Sequence, residues 1–327
     1  MIKIGINGFN KITKKIIFLM IKYNNINIVG INLNNNININ NFIYILKYNL
    51  LKKFNNIKII KIKNNIIINK KYNIRITNHN NIKKIKWYKI NVKYIIETNN
   101  NLNYKYLFNH IKYGKVKNVI LTTSNIIKKI PIILLGINHK LLTNKYKIIS
   151  YSTSFINCII PILKILHRKF IIKNCFITNI KSLKIFNNYF KKYNFSFILK
   201  NTNISKQINN IYSEFKNKIY SNTIIIPNSK IPLINFKIEF KKKIKNSNKI
   251  INIIKYNSKN EFSGILGYIN KNIIYNNIID DNNVSIIDIN SIKLLNNKYL
   301  NITSYYKNDN AYCKKIIDFI KYIDNNI

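Results

Sequence analysis

Residues 150–158 read SYSTSFINC, with hydroxyls at Ser152, Thr153 and Ser154 and a thiol at Cys158, one helical turn beyond Ser154. The series looks like a turn entering a helix, a place from which a reactive side chain is presented. Both a serine and a cysteine can form covalent intermediates, and the thiolate is the stronger nucleophile. Residue type alone leaves open whether Cys158, a serine or neither reacts. Cys158, Cys175 and Cys313 are far apart and odd in number, and His79, His110, His139 and His167 are scattered. No disulfide framework or metal-ligand spacing emerges, and a reducing cytoplasm is expected.

The surroundings are strongly basic. Of 327 residues, 56 are Lys or Arg and 10 are Asp or Glu, for a formal charge of +46. Such a charge can mark a nucleic-acid binder. Here the lysines are spread throughout rather than clustered with arginines and aromatics. The chain favours Ile, Asn, Lys, Tyr and Phe and has one alanine, Ala311. Those residues have A- and T-rich codons, so the charge is read as the imprint of an AT-biased genome, such as that of a reduced endosymbiont. Nucleic acid is not expected as the specific partner. Hydrophobic residues make up 47% of the chain, enough for two modest cores. Polar residues interrupt the N-terminus before "IIFLMI", and no apolar run reaches about 18 residues, so neither a signal peptide nor a membrane span is expected.

The elements that must carry these side chains begin with a strand at 2–6, the turn NGFN, a helix over about 11–23 and a strand at 26–31. This strand–turn–helix–strand unit opens a parallel sheet. Apolar runs at 57–62, 71–77, 94–98, 119–123 and 146–150 continue it, with a helix at 103–114. A helix from Cys158 to about Lys169 follows, then β-like runs at 176–186, 231–244 and 284–289, and a helical repeat at 311–323. The first half reads as α/β. The second half reads as mainly antiparallel β with helices, and the boundary falls near residue 150.

The ordered motifs resemble the glyceraldehyde-3-phosphate dehydrogenase family. "IKIGINGFNKITKKI" is similar to that family's opening. "LKYN" (46–49), "KWYKINVKYIIET" (86–98), "LGINHK" (135–140), "GILGY" (264–268) and "SYYKNDNAYCKKIIDFIKYI" (304–323) resemble its later motifs, in order. The resemblance implies a Rossmann-like, doubly wound dinucleotide-binding domain over 1–150, completed by a helix at 310–327. It implies an α+β catalytic domain with a mixed, mainly antiparallel sheet over 151–309, and a homotetramer.

Carried over residue by residue, the family's nucleophile turn matches 150–158 without a gap. Ser154 stands where the reactive cysteine is expected, and Cys158 matches the family's second, buried cysteine. The histidine motif matches "ITNIKSLK" and puts Lys181 at the base position. Thr153, Lys184, Ser213 and Lys237 match phosphate-contact positions, with Glu214 and Phe215 completing the loop match at Ser213. A hydroxyl is a weaker nucleophile than a thiolate, and an unshifted lysine, titrating near about 10.4, is a poor neutral-pH base.

For the cofactor, Gly8 keeps the tight turn, and Asn10 and Thr13 stand at the fingerprint's other glycines. Asn can adopt positive φ, so Asn10 is tolerable at its position, and Thr13 is expected to crowd the helix against the sheet. The amides near Lys11 and Ile12 can bind pyrophosphate at a helix N-terminus. Leu33 stands at the ribose carboxylate, and no acidic residue precedes Glu97. Thr98, Thr122, Asn308 and Tyr312 match positions near the cofactor. The implied reaction is NAD-dependent oxidation of glyceraldehyde 3-phosphate with phosphorolysis, as in glycolysis. The sequence leaves open NADP as cofactor, erythrose 4-phosphate as substrate, and an inert scaffold that keeps dinucleotide binding.

Overall fold

A computed structural model describes the chain except for residues 34–36, 52–53, 55, 101, 124–125, 184–196, 202, 228–231, 271–280, 307–308 and 327. It divides into Met1–Thr153 with Cys313–Ile327, and Ser154–Tyr312.

The first unit runs β1 (Lys3–Asn7), α1 (Lys11–Tyr23), β2 (Asn27–Asn32), α2 (Ile39–Leu51), β3 (Ile59–Ile62), β4 (Asn65–Ile68), β5 (Tyr72–Thr77), α3 (Ile82–Ile85), β6 (Tyr94–Glu97), α4 (Tyr104–Gly114), β7 (Asn118–Leu121) and β8 (Ile148–Ser150). Its sheet has the order β3-β4-β5-β2-β1-β6-β7-β8. The six strands from β5 to β8 are parallel. β3 and β4 extend one edge as an antiparallel hairpin. Ile4, Ile6, Ile28, Ile95, Ile96, Val119 and Ile120 are all buried. Such near-continuous apolar runs belong to parallel strands covered on both faces. The chain winds outward from β1 through β2 to β5, then returns with β6 beside β1. That reversal makes a switch point, where open α/β sheets bind ligands outside the strands' carboxyl ends.

The second unit runs α5 (Ser154–Phe170), β9 (Ile172–Leu183), β10 (Ile198–Asn201), α6 (Ile204–Ile211), β11 (Ile219–Pro227), β12 (Leu233–Phe240), α7 (Ser247–Lys259), β13 (Leu266–Ile269), β14 (Ser285–Leu295) and β15 (Tyr299–Tyr305). Its sheet has the order β10-β11-β9-β12-β15-β14-β13. β11–β9 and β13–β14 are parallel and the other pairs antiparallel, so the sheet is mixed, as expected. On β12 the buried Ile234, Phe236, Ile238 and Phe240 alternate with the exposed Lys237. This period of two marks one face turned to the core.

α8 (Asp309–Asn326) closes the chain. Within the first unit, Tyr94 donates from its hydroxyl to Asp324 Oδ1 at 2.8 Å, and the Tyr151 and Phe319 rings lie 4.9 Å apart.

Two local expectations differ. The helix after the SYSTSF turn starts at Ser154 rather than Cys158. Ser152 takes the left-handed conformation (φ 57°), which makes the sharp turn two residues before it. The strand expected over 231–244 stops at Phe240, before the lysine run at 241–243. Asn10, which could take positive φ, has an extended backbone (φ −137°), because it caps α1.

Candidate functional site

At the switch point the turn after β1 is built around Gly8. Its φ is +103°, and a Cβ there would overlap Thr98 Oγ1. Only glycine tolerates both conditions. Asn10 caps α1, its Oδ1 accepting from the Ile12 amide at 2.9 Å and the Thr13 amide at 3.4 Å. Its Nδ2 donates to the Thr98 carbonyl oxygen at 2.9 Å. Thr13 lies in the first turn of α1. It is buried, and its hydroxyl donates to the Gly8 carbonyl oxygen at 2.9 Å. The expectation of an available Ile12 amide is overturned, because the chain's own side chain already takes it. Lys11 occupies the first position of α1.

Thr98 and Thr122 follow β6 and β7 directly, on the crevice side. Both are buried. Thr98 donates from Oγ1 to the Asn7 carbonyl at 3.0 Å, and Thr122 to the Glu97 carbonyl at 3.1 Å. They tie neighbouring strand ends together. Leu33, at the end of β2, lines a cavity of about 570 Å³ with Asn38, Ile39, Thr77, Asn78 and His79. No carboxylate lines that cavity among the described residues.

Beneath the crevice lies a polar network that sequence reasoning missed. Glu97 is fully buried. Its Oε2 accepts from Asn7 Nδ2 at 2.6 Å, and its Oε1 accepts from the Asn99 amide at 3.0 Å and from Asn99 Nδ2 at 2.7 Å. His110 Nε2 lies 3.2 Å from Oε2, while Trp87 Nε1 donates to His110 Nδ1 at 3.0 Å. An indole nitrogen only donates, so His110 carries its proton on Nε2 and donates it to Glu97. Asn32 Nδ2 donates to Asn7 Oδ1 at 2.8 Å and extends the network to β2. The signal for it was Glu97, the first acidic residue of the chain.

In the second unit Ser154 is half-buried in the first turn of α5, with Thr153 half-buried just before it. The neighbouring Phe155 ring meets Tyr306 edge-on at 5.3 Å. The Tyr306 hydroxyl donates to Asn179 Oδ1 at 2.7 Å, and Asn179 Nδ2 donates to Thr223 Oγ1 at 3.2 Å. Lys181 follows Asn179 by two residues, so it projects from the same face of β9. It is half-buried, and burial, reinforced by the charge of Lys200, lowers its pKa. Phe155, Tyr306 and Asn179 thus link the first turn of α5 to the strand that carries Lys181.

The thiols are elsewhere. Cys158, Cys175 and Cys313 are all buried. Cys158 Sγ lies 3.4 Å from Ser304 Oγ, and burial pushes its pKa up to about 11 despite the hydrogen bonds of Ser285 and Ser304. It is a packed thiol and no nucleophile.

Two phosphate candidates are not part of this link. Lys237 is registered against Phe176 of β9, five residues and so about 17 Å from Lys181. It projects from the opposite face, into a shallow cavity with Phe176 and Tyr299. Ser213 sits exposed in a 3-10 turn after α6. The adjoining Glu214 reaches His167 at 3.4 Å, thirteen residues and so about 20 Å along α5 from Ser154. The residue registered beside Lys181 on β11 is the buried Ile225. Lys184 and Asn308 lie outside the described residues.

Comparison with known proteins agrees with this architecture. Residues 2–104 match the family model described as glyceraldehyde 3-phosphate dehydrogenase, NAD binding domain, and residues 154–308 match its C-terminal domain. The chain is similar to glyceraldehyde-3-phosphate dehydrogenase of Cochliobolus lunatus, 25% identical over 201 residues, 58% of this chain and 59% of the relative. That of Phytophthora infestans is 25% identical over 204 residues, 59% of this chain and 61% of the relative. These matches span about three-fifths of the relatives' length. With that of Priestia megaterium the match is 24% identical over 333 aligned positions, covering 98% of both.

Proposed function

Because the chain belongs to the glyceraldehyde-3-phosphate dehydrogenase family, we propose that it is an NAD-dependent aldehyde oxidoreductase acting on glyceraldehyde 3-phosphate with inorganic phosphate, in glycolysis. The observation that carries this reading is the pair of matching domains, in order, on one chain. The first domain offers a dinucleotide crevice at the β1/β6 switch point.

The residues there fit the cofactor in part. Gly8 keeps the tight turn but is buried, its amide donating to the Asn32 carbonyl and its carbonyl accepting from Thr13, while Lys11 adds positive charge and Thr98 and Thr122 edge the crevice. The Leu33 side chain offers the ribose no hydrogen bond, and the polar groups of the cavity it lines include those of Asn38, Thr77, Asn78 and His79. When bound, NAD supplies the hydride acceptor.

In the second domain, Ser154 takes the nucleophile position in this reading and Lys181 the base position. Lys181, with its lowered pKa, would accept the Ser154 proton as the hydroxyl oxygen adds to the aldehyde carbon. Thr153 keeps its phosphate-contact role by resemblance. An oxygen ester is less activated toward phosphate than a thioester, so turnover is slow. Asn308 and Lys184 keep their roles by resemblance alone. The same reading makes the protein a cytoplasmic homotetramer. Phe176, Leu199, Tyr220, Leu295 and Tyr299 are exposed apolar surface of the second unit's sheet, the kind that oligomers cover.

A second reading is an inert relative that keeps dinucleotide binding. The burial of all three thiols favours it, since none can form a thioester. Titrating NAD into the folded protein, then assaying NADH with aldehyde and phosphate, separates the two. Binding with NADH formation supports the enzyme, and binding without NADH supports the inert relative.

A further inference from the structure

Lys181 is one of several half-buried lysines, and it lies on the core side of β9. Its strand neighbours on that face are Asn179, which is buried, and Ile225 of β11, which is also buried. A second lysine shares the face. Lys200 of β10 is registered against Thr223, and Thr223 against Asn179, so Lys200 and Lys181 project from one side of the sheet. Two strand spacings and one two-residue step separate their Cα atoms, about 12 Å, within reach of two long side chains. Partial burial and a neighbouring cation both favour the neutral, nucleophilic form of a lysine amine. The lowered pKa of Lys181 has both causes, burial first and Lys200 second.

We propose that Lys181 condenses with anionic aldehydes to form an imine, with Lys200 holding the substrate's negative charge. The inference rests on the aldehyde-binding reading above, but it does not require hydride transfer. The nitrogen lone pair attacks the aldehyde carbon, and the carbonyl electrons pass to oxygen, which takes the amine's proton to give a carbinolamine. The C–O bond then breaks, water leaves with the second amine proton, and a C=N bond remains. Aldehyde and amine become imine and water, and nothing is oxidised. The arrangement would let this chain capture phosphorylated aldehydes without a thiol.

The test uses the full chain with glyceraldehyde 3-phosphate and cyanoborohydride, which reduces the imine to a stable secondary amine, followed by peptide mapping. The expected result is an adduct at Lys181 several-fold above the exposed lysines after brief reaction. It should be absent in Lys181→Met and reduced in Lys200→Met, which leaves the amine in place but removes its neighbour. The same excess should fail to appear with neutral glyceraldehyde. An adduct spread over the exposed lysines with no excess at Lys181 overturns the proposal, and so does an unchanged yield in Lys200→Met. Mapping on the wild-type chain stands even if a variant misfolds. NAD takes no part, so a chain that makes no NADH can still pass, and an active dehydrogenase can still fail.

Discussion

Asn10 and Thr98 are joined across the switch point, Asn10 Nδ2 donating to the Thr98 carbonyl oxygen at 2.9 Å. The same side chain holds the Ile12 amide, so one asparagine occupies both the helix N-terminus and the end of β6. Asn10→Gly removes this internal ligand and keeps a residue that caps almost as well, at a cost of a few tenths of a kcal/mol, about 0.5. We expect NAD to bind several-fold tighter to the variant by calorimetry. Equal or weaker binding would show that Asn10 does not compete with the cofactor.

The thiols are predicted to be inert in the folded chain. Burial raises the pKa of Cys158 to about 11, so its thiolate fraction at pH 8 is far below that of an exposed cysteine near about 8.5. Iodoacetamide should label Cys158 and Cys175 only on unfolding. Rapid native labelling of Cys158 would contradict the packing around Ser304.

Glu97→Gln puts an amide where a carboxylate accepts from Asn7, Asn99 and His110. The new NH2 must face one of these donors, leaving buried groups unsatisfied at about 2 kcal/mol. The urea midpoint should fall accordingly. A midpoint equal to wild type would mean that the network carries no net stability.

Asp324 accepts from Tyr94 and pairs with Lys93, and the lysine hydrogen bond is the largest influence that lowers its pKa. A depressed carboxylate pKa stabilises the fold above the unfolded value, about 3.9, and that contribution is lost as pH falls through the folded value. Wild-type stability should therefore drop more steeply below about pH 4 than that of Asp324→Asn. Parallel acid profiles would remove this anchor from the account of α8.

The first β-α-β unit was legible because the turn NGFN separates an apolar strand from a helix of 3.6 period, and β1, α1 and β2 follow it closely. α2 was not, since Ile, Asn and Tyr fill both faces of residues 39–51 and blur the period. Ser154 and Lys181 are read from the gapless match at 150–158 and the β9 motif, and the fold carries them on α5 and β9, two elements linked through Phe155, Tyr306 and Asn179. Ser213 and Lys237 were misplaced for one reason. Lysine and serine recur so often here that a three-residue match cannot set a register, whereas strand pairing can. Lys237 is registered to Phe176 on the outer face, a fact invisible without the sheet. Asn10 was read for its backbone freedom, while its side chain proved to matter more. The buried Glu97 network was out of reach because its partners lie on separate elements of the first unit.

In the proposed function a hydroxyl at Ser154 sustains the family's aldehyde oxidation. The most direct measurement is NADH formation by the folded chain with NAD, glyceraldehyde 3-phosphate and phosphate, run beside Ser154→Ala. Slow NADH formation is expected, abolished in Ser154→Ala while NAD binding is unchanged. No NADH from wild-type protein that binds NAD, or an equal rate from Ser154→Ala, would contradict it.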